Sequence, residues 1–197
     1  MRVHLTPNPP GRNKIDRRRS LTCRFLRAIS VAEARKSPGM PLLSCGPMYD
    51  EWMAAALEEA VRARDAGEVP IGAVVVIDGV VVGRGFNQPI SSGDPTAHAE
   101  IVAIRDAARR VGNYRLTGAV LCVTIEPCLM CIGALVHARI ATVVYGAPEP
   151  RTGAAISTVR GAELPGLNHR VQIIGGVRED ACRELMQTFF RARRSAP

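Results

Sequence analysis

The sequence predicts an α/β sandwich in which helices pack on a mixed β-sheet. From residue 48 onward, segments with a helical spacing of apolar residues alternate with short β-branched runs. The first two runs are joined at Asp78-Gly79, a dipeptide typical of a tight hairpin, so they predict an antiparallel pair. The later runs are separated by segments long enough to cross over the sheet, which is typical of parallel strands.

The predicted elements follow one another along the body of the chain. The first helix spans residues 48–69, with Trp52, Ala56 and Ala60 along one face and Gly67 near its end. The remaining segments are a hairpin at 71–87, an irregular loop at 88–96, a helix at 97–112, a strand at 118–125, a short helix at 128–139, a strand at 140–147, a long loop with one turn of helix at 148–170, a strand at 171–176 and a closing helix at 178–194.

The net positive charge of the chain comes entirely from its first 47 residues. The whole sequence has a formal net charge of +8, from 26 Lys and Arg against 18 Asp and Glu. Residues 1–47 contain 10 of the basic and 2 of the acidic residues, which leaves 16 of each in residues 48–197. A nucleic-acid surface on the body would therefore depend on a local arrangement of its arginines, since it contains no lysine.

Residues 1–47 predict a basic, disordered N-terminal extension, and residues 48–197 predict the folded domain. The extension has scattered Pro, Gly and Arg and no sustained periodicity. Three interpretations are open: a basic arm that touches nucleic acid, an organelle transit peptide, and a translation start that lies later, at Met40 or Met48. We favour the later start.

The composition argues against two broad classes of protein. No apolar run approaches the roughly 18 residues of a membrane-spanning helix, so no membrane partner is expected. Six cysteines in 197 residues are too few for a disulfide scaffold. Two of the cysteines form a C-x-x-C at residues 128–131, and in a reducing compartment this spacing is typical of metal or redox chemistry.

Cys128 and Cys131 are spaced to hold one metal ion. Both lie at the predicted start of a short helix, where residues three apart share a face, so both sulfurs can reach the same ion. Unpaired N–H groups at a helix start favour thiolates over thiols. His98, at the start of the helix after the irregular loop, supplies a third ligand. Three such ligands suit zinc and leave its fourth tetrahedral position open, as in catalytic sites.

Glu100 follows His98 at a spacing that suits proton transfer. A carboxylate two residues from a ligand can meet a water at the open position without binding the metal itself. It can take a proton from that water and return it to a substrate. His98-x-Glu100 together with Pro127-Cys128-x-x-Cys131 matches the signature of zinc-dependent nucleobase deaminases.

Two other interpretations of the cysteine pair are weaker. A redox pair of the thioredoxin kind follows an early strand, whereas this pair follows a late one. A structural zinc site would need a fourth protein ligand, for which the candidates are Cys122, His137 and Cys182. Cys122 lies inside a predicted strand and His137 at the far end of the short helix, so neither is placed to complete the site.

Further motifs are spread over residues 48–194, namely EVPIGAVVV, GFNQPI, DPTAHAEI, NYRL, TIEPCLMCIGALVHARI, VVYGA, RTGAA, NHR and FFRARR. Through these motifs, this part of the chain resembles the bacterial tRNA-specific adenosine deaminases of the cytidine deaminase superfamily. The resemblance implies a three-layer α/β/α sandwich with a central mixed five-stranded sheet, and a homodimer. It implies hydrolytic deamination of the wobble adenosine in a tRNA anticodon stem-loop to inosine, with one zinc ion per subunit. It also implies a cytoplasmic enzyme, with organelle import by the N-terminal extension as the alternative.

The resemblance assigns roles to single residues. His98, Cys128 and Cys131 match the zinc ligands, and Glu100 matches the proton shuttle. The positions matched to substrate binding are Asn87, Pro89, Arg151, Thr152, Arg170, Phe189, Phe190, Arg191 and Arg193. Among these, Asn87 would read a flipped base, and the C-terminal FFRARR would stack on RNA and pair with its phosphates. The alternatives are a turn residue for Asn87 and a helix end that carries cations to suit its dipole.

Three hypotheses follow for the function. The leading one is a tRNA-editing adenosine deaminase. The second is a deaminase of free nucleobases or nucleosides, of the guanine or cytosine kind, which would have no need of the RTGAA, NHR and FFRARR segments. The third is a non-catalytic, zinc-stabilised RNA-binding module, which Glu100 disfavours because a carboxylate buried beside an open metal site is costly without a catalytic use.

Overall fold

The computed structural model describes residues 47–195, so the predictions for residues 1–46 lie outside the described residues. The elements, in chain order, are α1 (Pro47–Asp65), β1 (Gly72–Ile77), β2 (Val80–Phe86), α2 (Pro89–Ser92), α3 (Ala99–Val111), β3 (Val120–Ile125), α4 (Leu129–His137), β4 (Thr142–Ala147), a 3₁₀ turn (Gly161–Glu163), β5 (Gln172–Ile174) and α5 (Glu179–Ser195). None of the helices within this range has both the length and the apolar character that a membrane span requires.

The predicted irregular loop at residues 88–96 was wrong in one respect, because it contains the single-turn helix α2. Pro89 occupies the first helical turn, where its fixed backbone angle and missing N–H are tolerated. The Ser92 hydroxyl donates to the carbonyl of Gln88 at 2.5 Å. Gly93 ends the turn with a left-handed backbone, φ 62°.

The sheet is mixed, as the sequence predicts. Its five strands lie in the order β2-β1-β3-β4-β5. The pairs β1–β2 and β1–β3 are antiparallel, whereas β3–β4 and β4–β5 are parallel. Strand β3 therefore forms the boundary between the antiparallel and the parallel half, and the chain leaves its carboxyl end toward α4.

Helices cover both faces of this sheet, which confirms the three-layer α/β/α sandwich. On one face, α1 and α5 pack on β1, β3 and β4 around Trp52, Met53, Val74 and Val144. On the other face, α3 and α4 enclose a larger core that includes Val75, Leu121, Leu135 and Val143. Alternate residues of β1 and β3 point to opposite faces. Because helices cover both faces, these strands are almost entirely buried.

Helix α3 lies directly on strand β2 because two glycines leave room for its backbone. A β-carbon at Gly85 would lie 2.4 Å from the Ala103 nitrogen and 2.5 Å from the Ala99 oxygen. A β-carbon at Gly83 would lie 2.5 Å from the Ala103 oxygen. No side chain fits in this gap, so the start of α3 is fixed against the end of β2.

Candidate metal centre and substrate cavity

The sulfur and nitrogen ligands predicted from the sequence lie at the starts of two helices. His98 is the N-cap residue of α3, with φ −70° and ψ 154°, and Cys128 is the N-cap residue of α4, with φ −75° and ψ 172°. Cys131 is in the first turn of α4. Neither side chain forms a capping hydrogen bond, and the two face each other across the site. The positive ends of both helices point at the site and favour anionic ligands there.

The distances between the three side chains fit a zinc ion. The Sγ atoms of Cys128 and Cys131 each lie 3.6 Å from Nδ1 of His98. All three ligand atoms lie within 4.8 Å of one another. A tetrahedral zinc ion, with bonds of about 2.3 Å to sulfur and about 2.0–2.1 Å to nitrogen, would separate sulfur from nitrogen by about 3.6 Å. The donor set and its spacing therefore match zinc.

The two thiols of the triad differ in how readily they ionise. A hydrogen bond from the Cys131 thiol lowers the pKa of Cys128 to about 4, and the same bond raises the pKa of Cys131. The bond between His98 and Cys128 raises the pKa of His98. Cys128 is therefore the first of the two thiols to ionise, and thiolate is the form that binds zinc.

Within residues 47–195, no further side chain joins the triad as a fourth protein ligand. In that range, the triad is the one group of three or more His, Cys, Asp or Glu side chains with converging ligand atoms. Cys122 and Cys182 are buried away from it, and His137 is exposed at the end of α4. This arrangement leaves one coordination position for water or substrate, and it argues against a purely structural zinc site.

Glu100 and Asn87 lie beside the triad in one cavity of about 270 Å³. Glu100 is in the first turn of α3, and its burial raises the pKa of its carboxyl group. Asn87 follows β2 and accepts a hydrogen bond from the Ala99 nitrogen through Oδ1, at 3.0 Å. Its amide N–H₂ group is thus the part that remains for a ligand. The cavity is lined by Val69, Ile71, Asn87, His98, Glu100, Ile125, Glu126, Cys128, Glu149, Thr152, Met186 and Phe190.

A second cavity of about 540 Å³ adjoins the first, since Met186 and Phe190 line both. The inner cavity has three carboxylates in its lining and no arginine. The outer cavity has three arginines and no carboxylate, its lining being Arg151, Met186, Gln187, Phe190, Arg191 and Arg194. The site therefore has an acidic interior and a cationic mouth, with the half-exposed ring of Phe190 between them.

Four of the predicted substrate residues do not line either cavity within one chain. Phe189 is buried, and the Arg193 guanidinium lies 4.8 Å over its ring and donates to the Gly67 carbonyl at 2.7 Å. Pro89 begins α2. Arg170 precedes β5, whose first residue pairs with the first residue of β4, so it lies at the amino end of the parallel strands. Their substrate contacts stay predictions.

Several cavity residues have no counterpart among the predicted site residues. Glu126 and Glu149 contribute two of the three carboxylates, and Met186 contributes an apolar wall. The sequence holds a signal for each: Glu126 directly precedes the Pro-Cys pair at the end of a strand, and Met186 is one helical turn before Phe190. Burial raises the pKa of Glu126, but its hydrogen bonds outweigh burial and hold that pKa below its usual range.

Residues 48–147 match the family model described as the cytidine and deoxycytidylate deaminase zinc-binding region. The chain belongs to this deaminase family. Membership confirms zinc as the cofactor, and it identifies hydrolytic deamination as the reaction class. The resemblance noted from the sequence motifs is confirmed as well.

Related members of the deaminase family match most of the described body. The chain is 44% identical over 148 residues to a tRNA-specific adenosine deaminase of Haemophilus influenzae, covering 74% of this chain and 86% of the relative. It is 40% identical over 140 residues to the tRNA-specific adenosine deaminase of Bacillus subtilis, covering 71% and 87%.

Solved structures of deaminases share this fold. One, from a study of A-to-I editing by tRNA:A34 deaminases at the wobble position of transfer RNA, has a TM-score of 0.67 and 44% identity, covering 68% of this chain and 98% of that one. A guanine deaminase from Nitrosomonas europaea has a TM-score of 0.63 and 22% identity, covering 71% and 83%. The latter similarity shows the fold alone.

Proposed function

We propose that the protein hydrolyses the wobble adenosine of a tRNA anticodon stem-loop to inosine, releasing ammonia. The observation that carries this proposal is the pair of adjoining cavities, an acidic one at the metal triad and an arginine-lined one outside it. A single-stranded loop suits this arrangement, because one base can leave the stack for the inner cavity while flanking phosphates stay at the mouth. The tRNA-specific relatives support the same substrate.

His98, Cys128 and Cys131 would hold the zinc ion. When bound, zinc supplies the Lewis acidity that activates water for attack at neutral pH. Glu100 takes a proton from the attacking water and delivers it to the adenine ring as the oxygen adds at C6. The second proton of that water leaves with the amino group as the C6–N bond breaks, so adenosine and water give inosine and ammonia.

Other cavity residues orient the base and exclude water. The amide of Asn87 donates to the base, because its oxygen is already bonded to the start of α3. Val69, Ile71 and Ile125 provide apolar contact to the base faces. Since mature tRNA is used by ribosomes, we place this activity in the cytoplasm.

The test compares substrates of two classes. Zinc-loaded protein is incubated with an anticodon stem-loop that carries A at the wobble position, and separately with free guanine, cytosine and cytidine. We expect inosine at the wobble position, detected by mass spectrometry of the digested RNA, and no conversion of the free compounds. Deamination of a free base with no conversion of the stem-loop would overturn the proposal.

We expect Arg191→Ala/Arg194→Ala to weaken RNA binding more than it slows chemistry. Both arginines line the outer cavity, whereas Arg193 is engaged by Phe189 and Gly67. Removing two phosphate contacts should raise KM for the stem-loop by roughly tenfold or more and reduce the salt slope of binding by about 1.4 to 1.8.

The matched control for this prediction is Arg109→Ala/Arg110→Ala. Both of these arginines are exposed on α3 and pair with Asp106. The control should keep the KM and the salt slope of the parent. Equal losses in the two double variants would show that general positive charge, and not the outer cavity, binds the RNA.

We propose that the protein is a homodimer that buries an apolar patch beside the metal site. The patch consists of Leu129, Met130, Ile156, Val159 and Leu164, each between 38% and 52% exposed. Its two segments are in contact, because the Ala154 nitrogen donates to the Pro127 carbonyl at 2.8 Å. Exposed apolar patches of this kind mark protein interfaces.

Val159→Glu should shift the protein from dimer to monomer, because the interface would then bury an unpaired carboxylate. Sedimentation equilibrium measures the mass of both forms. Ile90→Glu is the control, since Ile90 is an exposed apolar residue outside the patch. A parent that sediments as a monomer would contradict the homodimer.

A further inference from the structure

Glu126 is a buried carboxylate between the metal site and the segment that follows β4. It comes directly after β3 and two residues before Cys128, and only 4% of it is exposed. The Glu126 nitrogen donates to the Ala147 carbonyl at 2.9 Å, which continues the β3–β4 pairing to the end of both strands. Its backbone is therefore fixed by the sheet, and its side chain extends away from that fixed point.

The carboxylate of Glu126 accepts four hydrogen bonds, and they come from two separate stretches of chain. Oε2 accepts from the Glu149 nitrogen at 3.0 Å. Oε1 accepts from the nitrogens of Ile156 and Ser157, at 2.8 Å and 2.9 Å. The Ser157 hydroxyl donates to Oε2 at 2.5 Å. One side chain thus joins the beginning and the end of the segment Glu149–Ser157, which we name the anchored loop.

The sequence around these contacts is suited to this side chain. Pro148 and Pro150 have no N–H group, so Glu149 provides the only backbone donor of the Pro-Glu-Pro stretch. Gly153 leaves room for the carboxylate, because a β-carbon there would lie 2.5 Å from the Glu126 carboxyl carbon.

The anchored loop also lies against the metal-binding segment. Gly153 forms an isolated antiparallel bridge with Cys128, and the Ala154 nitrogen donates to the Pro127 carbonyl at 2.8 Å. The loop carries Arg151 at the outer cavity and Thr152 at the inner cavity. The position of both residues relative to the triad therefore depends on what holds the ends of the loop.

We propose that Glu126 is a positioning residue, whose carboxylate closes the anchored loop and so sets Arg151 and Thr152 against the metal site. Hydrogen bonds to an ionised acceptor are stronger than those between neutral groups, and four of them converge here. That this loop positions a tRNA substrate rests on the proposed function, whereas the anchoring of the loop by Glu126 is independent of it.

The first experiment measures amide hydrogen exchange in Glu126→Gln. Glutamine keeps the volume of the side chain but has one acceptor oxygen, so it cannot accept N–H groups from both ends of the loop. We expect deuterium uptake in peptides covering residues 149–158 to become about tenfold faster or more, as the loss of charged hydrogen bonds implies. Unchanged uptake in these peptides would overturn the proposal.

Two further variants make the exchange result specific. Glu68→Gln changes another buried carboxylate, one that accepts a single N–H from Ser91 at 2.7 Å and does not line the cavity. It should leave exchange at residues 149–158 unchanged. Ser157→Ala removes only the hydroxyl donor and should give a smaller acceleration in the same peptides, so it also tests the anchor if Glu126→Gln does not fold.

The second experiment separates positioning from chemistry. Glu126→Gln should keep one zinc per chain, since no ligand atom is removed. It should raise KM for the stem-loop roughly tenfold while kcat stays within about threefold of the parent. Loss of zinc, or a large fall in kcat at unchanged KM, would give Glu126 another role and overturn the proposal. If the parent does not edit the stem-loop, the proposed function fails while the exchange data still decide the anchor.

Discussion

Replacing Glu100 by Gln is expected to lower turnover of the stem-loop by about 10²- to 10⁴-fold, the usual contribution of a general acid–base group. Glu100 lies in the first turn of α3, inside the inner cavity and two residues from the ligand His98. Glutamine fills the same space but cannot accept and return a proton. Zinc content and stem-loop affinity should stay at the parent's level, because the change removes neither a ligand nor a phosphate contact.

Single-turnover kinetics, with zinc measured by elemental analysis, checks this prediction. Glu68→Gln is the matched control, because it neutralises a buried carboxylate that bonds only to a backbone N–H. It should keep kcat near that of the parent. A Glu100→Gln variant with kcat within about tenfold of the parent, a difference of about 1.4 kcal/mol in the barrier, would show that another group moves the proton.

Cys128→Ser is expected to abolish zinc binding and, with it, the zinc-dependent part of the stability. The parent should contain one zinc per chain. At free zinc a thousandfold above its dissociation constant, the ion adds about 4.1 kcal/mol to the free energy of unfolding. Serine is a favourable N-cap residue, so the substitution should not itself destabilise the start of α4, and the loss of stability reports the metal.

The readout is the thermal midpoint with and without a chelator. The chelator should lower the midpoint of the parent and leave that of Cys128→Ser unchanged. Cys182→Ala is the control: its thiol is buried under β4, where burial raises its pKa to about 11, and it is not part of the triad. If the parent's midpoint did not respond to the chelator, zinc would not be coupled to folding.

The elements of the fold and the metal triad were predictable from the sequence because both depend on short-range patterns. β-Branched runs and the Asp78-Gly79 turn mark the strands of the hairpin. The H-x-E and C-x-x-C spacings place ligands at helix starts, where the structure has them. Each of these signals is contained in a few consecutive residues.

The substrate side of the site could not be predicted in the same way. In FFRARR, Phe189 and Arg193 share one face of the helix, and Phe190 and Arg194 share another. Only the packing of α5 on β4 decides which of the two rings is buried. It buries Phe189, with the exposed Arg193 over its ring, and leaves Phe190 and Arg194 at the cavity. No short-range sequence pattern indicates which of the two rings is buried.

Glu126 was missed for a related reason. Its donors lie 23 to 31 residues later in the chain, in a stretch that the sequence marks only as a loop. Their convergence depends on the parallel pairing of β3 with β4, which brings residues 126 and 147 side by side.

The glycine contact between β2 and α3 bears on how such a protein can change over evolution. Gly83 and Gly85 allow β2 to hold α3, and hence His98 at its start, by close backbone contact. Substitutions that keep this contact should leave the position of that ligand unchanged. The outer cavity is formed instead by the anchored loop and α5, which lie outside this contact. New substrates can therefore be acquired by remodelling the mouth of the site while the hydrolytic machinery is inherited unchanged.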